Sequence, residues 1–176
     1  MSEAELTANI MLLFGAGHET TVNLIGNGLL ALHRHPDQLA LLKRDPSLMP
    51  NAIEELLRYD SSVQLTGRTA LEDVELSGVR IERGEGIMCL LGAANRDPDV
   101  YPDPDRLDIT RPNIRPMSFG GGIHFCLGAQ LARIEAEIAL NSLLARLPDL
   151  QLESPDTPAW RPTFVLRGLT SLPARW

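Results

Sequence analysis

The sequence predicts a mainly α-helical fold carrying small β-sheets, an α+β chain. Three observations predict it. Residues near both ends repeat apolar side chains at helical spacing, short β-prone runs bounded by glycine lie between them, and a proline-dense stretch from Asp97 to Pro116 admits neither element. At 176 residues the chain has about one domain's length, enough to bury a core without disulfides.

Residues 3–33 form the first expected helix, with Leu6, Ile10, Leu13, Leu24 and Leu29 recurring at roughly helical intervals. Ile10 to Phe14 is apolar on every side, which predicts a buried helix. Pro36 is placed to open a second helix running to about Arg44, and Pro50 opens a third that carries Glu54, Glu55 and Arg58. From Val63 the pattern changes. Val74–Leu76, Ser77-Gly78 and Val79–Ile81 read as a hairpin, and Gly84 and Gly86 flank a second turn before an apolar strand from Ile87 to Leu91. Cys89 in that strand is expected to be inert core. Five prolines between Asp97 and Pro116 rule out regular structure, and so long an irregular stretch needs something specific to hold it. Leu127 to Leu147 is strongly helical in pattern, and the tail suggests short strands, including Phe164–Leu166.

Bulk properties exclude several functions. A net charge of −7 argues against nucleic-acid or anionic-membrane binding, which need basic patches. No run approaches the ~18 apolar residues of a membrane span. The acidic start Met1-Ser2-Glu3 does not resemble a signal peptide, and two cysteines make no disulfide framework. These features predict a cytoplasmic protein.

The most specific segment is Phe119-Gly120-Gly121-Gly122-Ile123-His124-Phe125-Cys126-Leu127-Gly128. A cysteine where a glycine-rich loop enters a helix sits by the helix's positive end and unpaired amides, which favour thiolate. Small residues let a flat cofactor approach the backbone. One thiolate is too few for structural zinc but suits haem iron. The competing readings are an ordinary buried cysteine and a phosphate loop. The latter lacks the Lys-Ser/Thr of a P-loop.

This run resembles the cysteine-loop signature of the cytochromes P-450, and other segments do too. Ala16-Gly17-His18-Glu19-Thr20-Thr21 resembles the family's distal-helix motif, and Glu55-Leu56-Leu57-Arg58 its Glu-x-x-Arg pair. Ala94-Asn95-Arg96-Asp97-Pro98 and Tyr101–Arg106 are similar to the segment entering its irregular meander. The likeness runs from about Ala8 to the C-terminus, in the style of soluble bacterial members. It implies the C-terminal portion of the P-450 fold, with 1–176 a partial domain whose N-terminal portion is absent. It implies a haem-thiolate monooxygenase that uses haem b, a small organic substrate and a ferredoxin- or reductase-type electron donor. Cys126 would be the axial ligand, Glu19 and Thr20 would handle protons, and Arg68 and His124 would meet the propionates. Ala16, Gly17, Phe119, Gly120 and Gly128 would border the cofactor.

Several of these residues also carry a plainer reading. Gly15 and Gly17 inside a helix cost roughly 1 kcal/mol each relative to Ala. They suit either helix packing or a group passing close to the backbone. Thr20 is placed to bond the Ala16 carbonyl. A zinc helix of the His-Glu-x-x-His type fails because position 22 is Val. Glu55 and Arg58 share a helix face, and most such pairs are solvated. The resemblance implies instead a buried pair joined by Arg106, with Leu107 replacing a common aromatic. Arg68, His124 and Arg133 have solvated alternatives, and Arg133 is otherwise expected at a donor-binding surface. The missing helices imply self-association, or association with a chain that supplies them. A haem-binding remnant or interaction fragment without turnover is the alternative function, and a folding fragment without haem is a third.

Overall fold

The computed structural model describes residues 1–176. Helix α1 spans Glu3–Arg34, α2 Pro36–Arg44 and α3 Met49–Tyr59. Strands β1 (Thr66–Thr69), β2 (Val74–Leu76), β3 (Val79–Ile81) and β4 (Gly86–Cys89) follow, then a short α4 (Leu91–Ala94). After the irregular stretch come α5 (Ala129–Arg146), β5 (Gln151–Leu152) and β6 (Ala174–Arg175). The chain is thus mainly helical with small sheets, as expected.

Local chemistry sets the boundaries. Ser2 caps α1 reciprocally: its hydroxyl accepts from the Glu5 amide at 3.3 Å, while the Glu5 carboxylate accepts from the Ser2 amide at 2.7 Å. Pro36 starts α2 where no amide is needed. Ser77 and Gly78 both take positive φ, the geometry of a tight turn joining β2 to β3. β1 pairs antiparallel with β4, from Thr66 opposite Cys89 to Thr69 opposite Gly86, and β5 pairs with β6. The tail folds back as well, with isolated bridges joining Val63 to Leu166 and Trp160 to Leu169.

The core lies where the second half of α1 meets α3 and α5. Leu24, Leu30, Leu32, Ile53, Leu56, Ala136 and Leu140 fill it, with Leu107 and Ile109 entering from the irregular stretch. Gly28 lets α1 and α3 approach closely: a Cβ there would stand 3.0 Å from the Leu56 side chain. Leu107, nearly fully buried, completes the core without an aromatic ring.

Three expectations need correction. Ile10 to Phe14 are 57–76% exposed rather than buried, because the core meets α1 only from Thr21 onward. The apolar strand ends at Cys89, and Leu91 begins α4, whose Gly92 amide bonds Gln64. Cys89 is half-buried at the end of an edge strand, so it is not core. No helix is long and apolar enough to cross a membrane.

Candidate functional site

The cysteine loop is built from two single-turn 3-10 segments, Met117–Phe119 and Gly122–His124. Gly120 and Gly122 take φ of 68° and 61°, a left-handed region that side-chain-bearing residues avoid. The Cys126 amide donates to the Phe119 carbonyl at 2.9 Å and closes the loop, and the Phe119 and Phe125 rings meet edge to face. Gly128 is the N-cap of α5. A Cβ there would lie 4.0 Å from the Cys126 sulfur, so glycine leaves the thiol uncovered. Cys126 is free and exposed, among the exposed side chains of Ile123, Phe125 and Leu127.

Arg133 lies one turn into α5. Its guanidinium holds both oxygens of Glu54 and lies 4.5 Å from the Phe119 ring centroid. The Glu54 hydrogen bond raises its already high pKa, and the Cys126 sulfur adds a smaller coulombic contribution. Arg133 is therefore a fixed cation bracing the loop rather than a freely solvated one.

On α1, the Thr20 hydroxyl donates to the Ala16 carbonyl at 2.8 Å, the expected back-bond. Nothing approaches within 4 Å of where Cβ atoms on Gly15 and Gly17 would stand, so the helix backbone is bare there. Glu19 is half-exposed and paired with Arg161 of the tail at 2.8 Å. No sequence signal pointed to Arg161. Arg68 on β1 folds back to the Gly67 carbonyl at 2.7 Å and to Thr66, whereas the exposed His124 makes no side-chain hydrogen bond.

The Glu55–Arg58 pair is fully buried, at 2.7 and 2.8 Å. The remaining Arg58 donors reach the carbonyls of Asn95, Pro104 and Arg106, so the guanidinium is fully satisfied. Glu55 also accepts the Asp108 amide at 2.9 Å. The third member is Arg111, not Arg106. Arg111 stands 3.3 Å from Glu55 and bonds the carbonyls of Pro102, Asp103 and Arg106. The Arg106 side chain points outward, 3.8 Å from Asp108, and only its carbonyl joins the network. The irregular stretch turns Arg111 inward, a path its sequence spacing does not reveal. Asp108 lies beside it: burial pushes its carboxyl up, but hydrogen bonds from Thr110 and the charges of Arg106 and Arg111 hold it below the usual range.

Fold and loop together define a helix-rich chain that presents one thiol from a glycine-shaped loop ahead of a long helix. The family profile described as Cytochrome P-450 matches residues 1–167. A putative cytochrome P-450 133B1 of Xylella fastidiosa is 53% identical over 172 residues, covering 98% of this chain and 43% of its own. The vitamin D(3) 25-hydroxylase of Pseudonocardia autotrophica is 55% identical over 175 residues, covering 98% and 43%. The solved structure of the Bacillus subtilis bacillaene polyketide synthase cytochrome P-450 PksS superposes with a TM-score of 0.94 at 49% identity, over 99% of this chain and 45% of that one. The chain belongs to the cytochrome P-450 family. It spans less than half the length of these relatives.

The donor set tests whether the family's haem fits these residues. No group of three or more His, Cys, Asp or Glu side chains gathers anywhere in the chain, so it builds no multidentate metal site. A macrocycle that brings its own four nitrogens needs only one protein ligand, and an uncovered thiol in an apolar, glycine-opened surface supplies it. The residues fit.

Proposed function

We propose that this chain carries the haem-thiolate portion of a cytoplasmic monooxygenase, in which the Cys126 thiolate would hold the iron of haem b. The supporting observation is the uncovered Cys126 thiol, set among exposed Ile123, Phe125 and Leu127 on a loop that Gly120, Gly122 and Gly128 keep open. When bound, haem supplies the iron at which dioxygen is activated, so that one oxygen atom enters an organic substrate and the other leaves as water. Electrons come from a ferredoxin- or reductase-type donor.

The chain's own residues hold, orient and protonate. Phe119, Gly120 and Gly128 leave room for the flat cofactor, Arg133 with Glu54 braces the loop, and Arg68 and His124 would donate to its carboxylates. Ala16 and Gly17 keep the α1 backbone low on the opposing side. The Thr20 hydroxyl, parked on the Ala16 carbonyl and backed by the Glu19 carboxylate and water, would relay protons that solvent supplies, giving one up as it takes another from water. Arg161 holds Glu19 in place meanwhile. The Glu55–Arg58–Arg111 network is structural: it fixes the irregular stretch that leads into the cysteine loop.

The exposed apolar faces of α1 and α5 favour a second reading, a chain that binds haem without turnover unless another polypeptide covers them. An absorption spectrum of the haem-loaded, reduced chain under carbon monoxide tests the ligand. The expected Soret band is the strongly red-shifted one of thiolate ligation, absent in Cys126→His. A spectrum of imidazole ligation in the parent chain overturns the assignment.

A further inference from the structure

A cavity of about 310 Å3 opens where the ends of α1 and α3, the residues after α4 and the tail converge. Arg34, Arg58, Arg96 and Arg167 stand in its walls, and Asp60 is the one carboxylate there. The charges of Arg167, Arg96 and Arg34 all reach Asp60. Each of these three guanidiniums is held in place. Arg34 donates to the carbonyls of Pro155 and Asp156 at 2.7 and 3.2 Å and pairs with no carboxylate. Arg96 lies 4.3 Å from the centroid of the Tyr59 ring and donates to the Tyr59 carbonyl. Arg167 stands over the Trp160 ring and bonds Asp60 at 2.6 Å.

The charges around the cavity do not balance. Asp60 answers Arg167, and Asp105, 87% exposed, answers Arg96 from open solvent. Arg58 and Arg111 share the single carboxylate of Glu55, and Arg34 meets carbonyl dipoles alone. The carboxyl ends of α1 and α3 border the cavity and offset roughly half a charge each. A positive excess therefore remains in these walls, within a chain whose net charge is −7. Guanidiniums already fixed by other bonds lose little further freedom when an anion arrives.

We propose that this cavity binds a small phosphate-bearing molecule, its phosphoryl group held by Arg34, Arg96 and Arg167. Those three arginines come from three separate parts of the chain: the end of α1, the residues after α4 and the tail. A phosphoryl group carries a charge of about −1.5 to −2 and three acceptor oxygens that point apart, so it accepts from all three directions. A carboxylate offers two oxygens in one plane and suits a single guanidinium fork. The volume lies at the lower end of the range for small-molecule sites and admits a phosphoryl group with a compact organic part. No residue assigned to haem lines this cavity, so its failure would leave the haem-thiolate reading untouched.

A titration of the 176-residue chain with inorganic phosphate, followed by nitrogen–proton NMR of the arginine Nε groups, is the test. Ionic strength is held constant with chloride, and succinate is titrated in parallel. The expected result is saturable shifts at Arg34, Arg96 and Arg167 with one dissociation constant, and weaker binding of succinate. Arg34 is exposed and outside the core, so Arg34→Gln should keep the helix content while weakening phosphate binding about tenfold. Arg44→Gln removes the same charge from the exposed end of α2 and should change the constant by less than about twofold. Absent or unsaturable shifts in the parent chain would overturn the proposal. So would equal losses in the two variants, or succinate binding as tightly as phosphate.

Discussion

At the scale of single residues, Glu55 and Arg58 decide most. Their mutual bonds are excellent, but each charge is stripped of water, so removing one strands the other. Arg58→Ala is expected to cost about 3–5 kcal/mol, read by urea denaturation, and to lower haem retention in parallel. A variant as stable as its parent would show that the pair contributes nothing. Arg111→Ala and Arg106→Ala separate the two candidate third members. Arg111 is buried and holds three carbonyls, so its loss should destabilise the chain clearly; the exposed Arg106 side chain should matter by less than about 0.5 kcal/mol. The pair itself was legible through its spacing on one helix, together with the family motif. Its third member was not, because the path of a proline-rich stretch is set by tertiary contacts that no periodicity encodes. Thr20→Ala belongs at this scale too. On the proposed relay role, in a haem-loaded preparation supplied with electrons it should raise the peroxide released per electron while leaving the ligation spectrum alone, as expected of a hydroxyl that moves protons without attaching the cofactor. Unchanged peroxide yield would remove Thr20 from the relay.

At the scale of elements, the informative junction is where the tail hairpin meets the end of α3. Arg167 bonds Asp60 at 2.6 Å and lies 3.6 Å from the centroid of the Trp160 ring. Burial pushes the Asp60 carboxyl up, and Arg167, then Arg96 and Arg34, pull it only partly back, so it stays above the ordinary range. The folded state therefore binds this proton more tightly than the unfolded chain. Stability from the protonated form is complete below the unfolded value and is lost as pH rises through the folded one. Asp60→Asn keeps the side chain neutral throughout. Its stability relative to the parent should increase with pH across the acidic range and then level off; denaturation curves at several pH values check this, and a difference that falls with rising pH would contradict it. The four long helices, the β2–β3 hairpin and the irregular stretch were legible, since periodicity, turn and proline signals are local. The short α4, the bridge binding Leu166 of the tail to Val63, and the pairings of Arg161 and Arg133 were not, because each depends on segments distant in sequence.

At the scale of the whole molecule, the governing fact is unpaired apolar surface. Periodicity showed that Ile10 to Phe14 is apolar all round, and the inference of burial failed because hydrophobicity states a need for neighbours without supplying them. On α5, Leu131, Ile134 and Ile138 remain exposed while Ala136 and Leu140 pack inward, so that helix also carries an uncovered face. Contiguous apolar surface of this kind marks an interface or an aggregation hazard, and its burial is worth roughly 25 cal/mol per Å2. The net charge of −7 opposes association only through screened repulsion, which weakens with salt. The isolated chain should therefore self-associate, more strongly as ionic strength rises, and should hold haem with one side open to water. Size-exclusion chromatography with light scattering at low and high salt measures the first part, and haem loss to an apoprotein acceptor measures the second. Leu12→Lys and Ile138→Lys place charges on the two exposed faces without touching the core, so they should shift the distribution toward monomer at unchanged helix content. A parent chain that stays monomeric at every salt concentration would mean that these faces are adequately solvated as they stand.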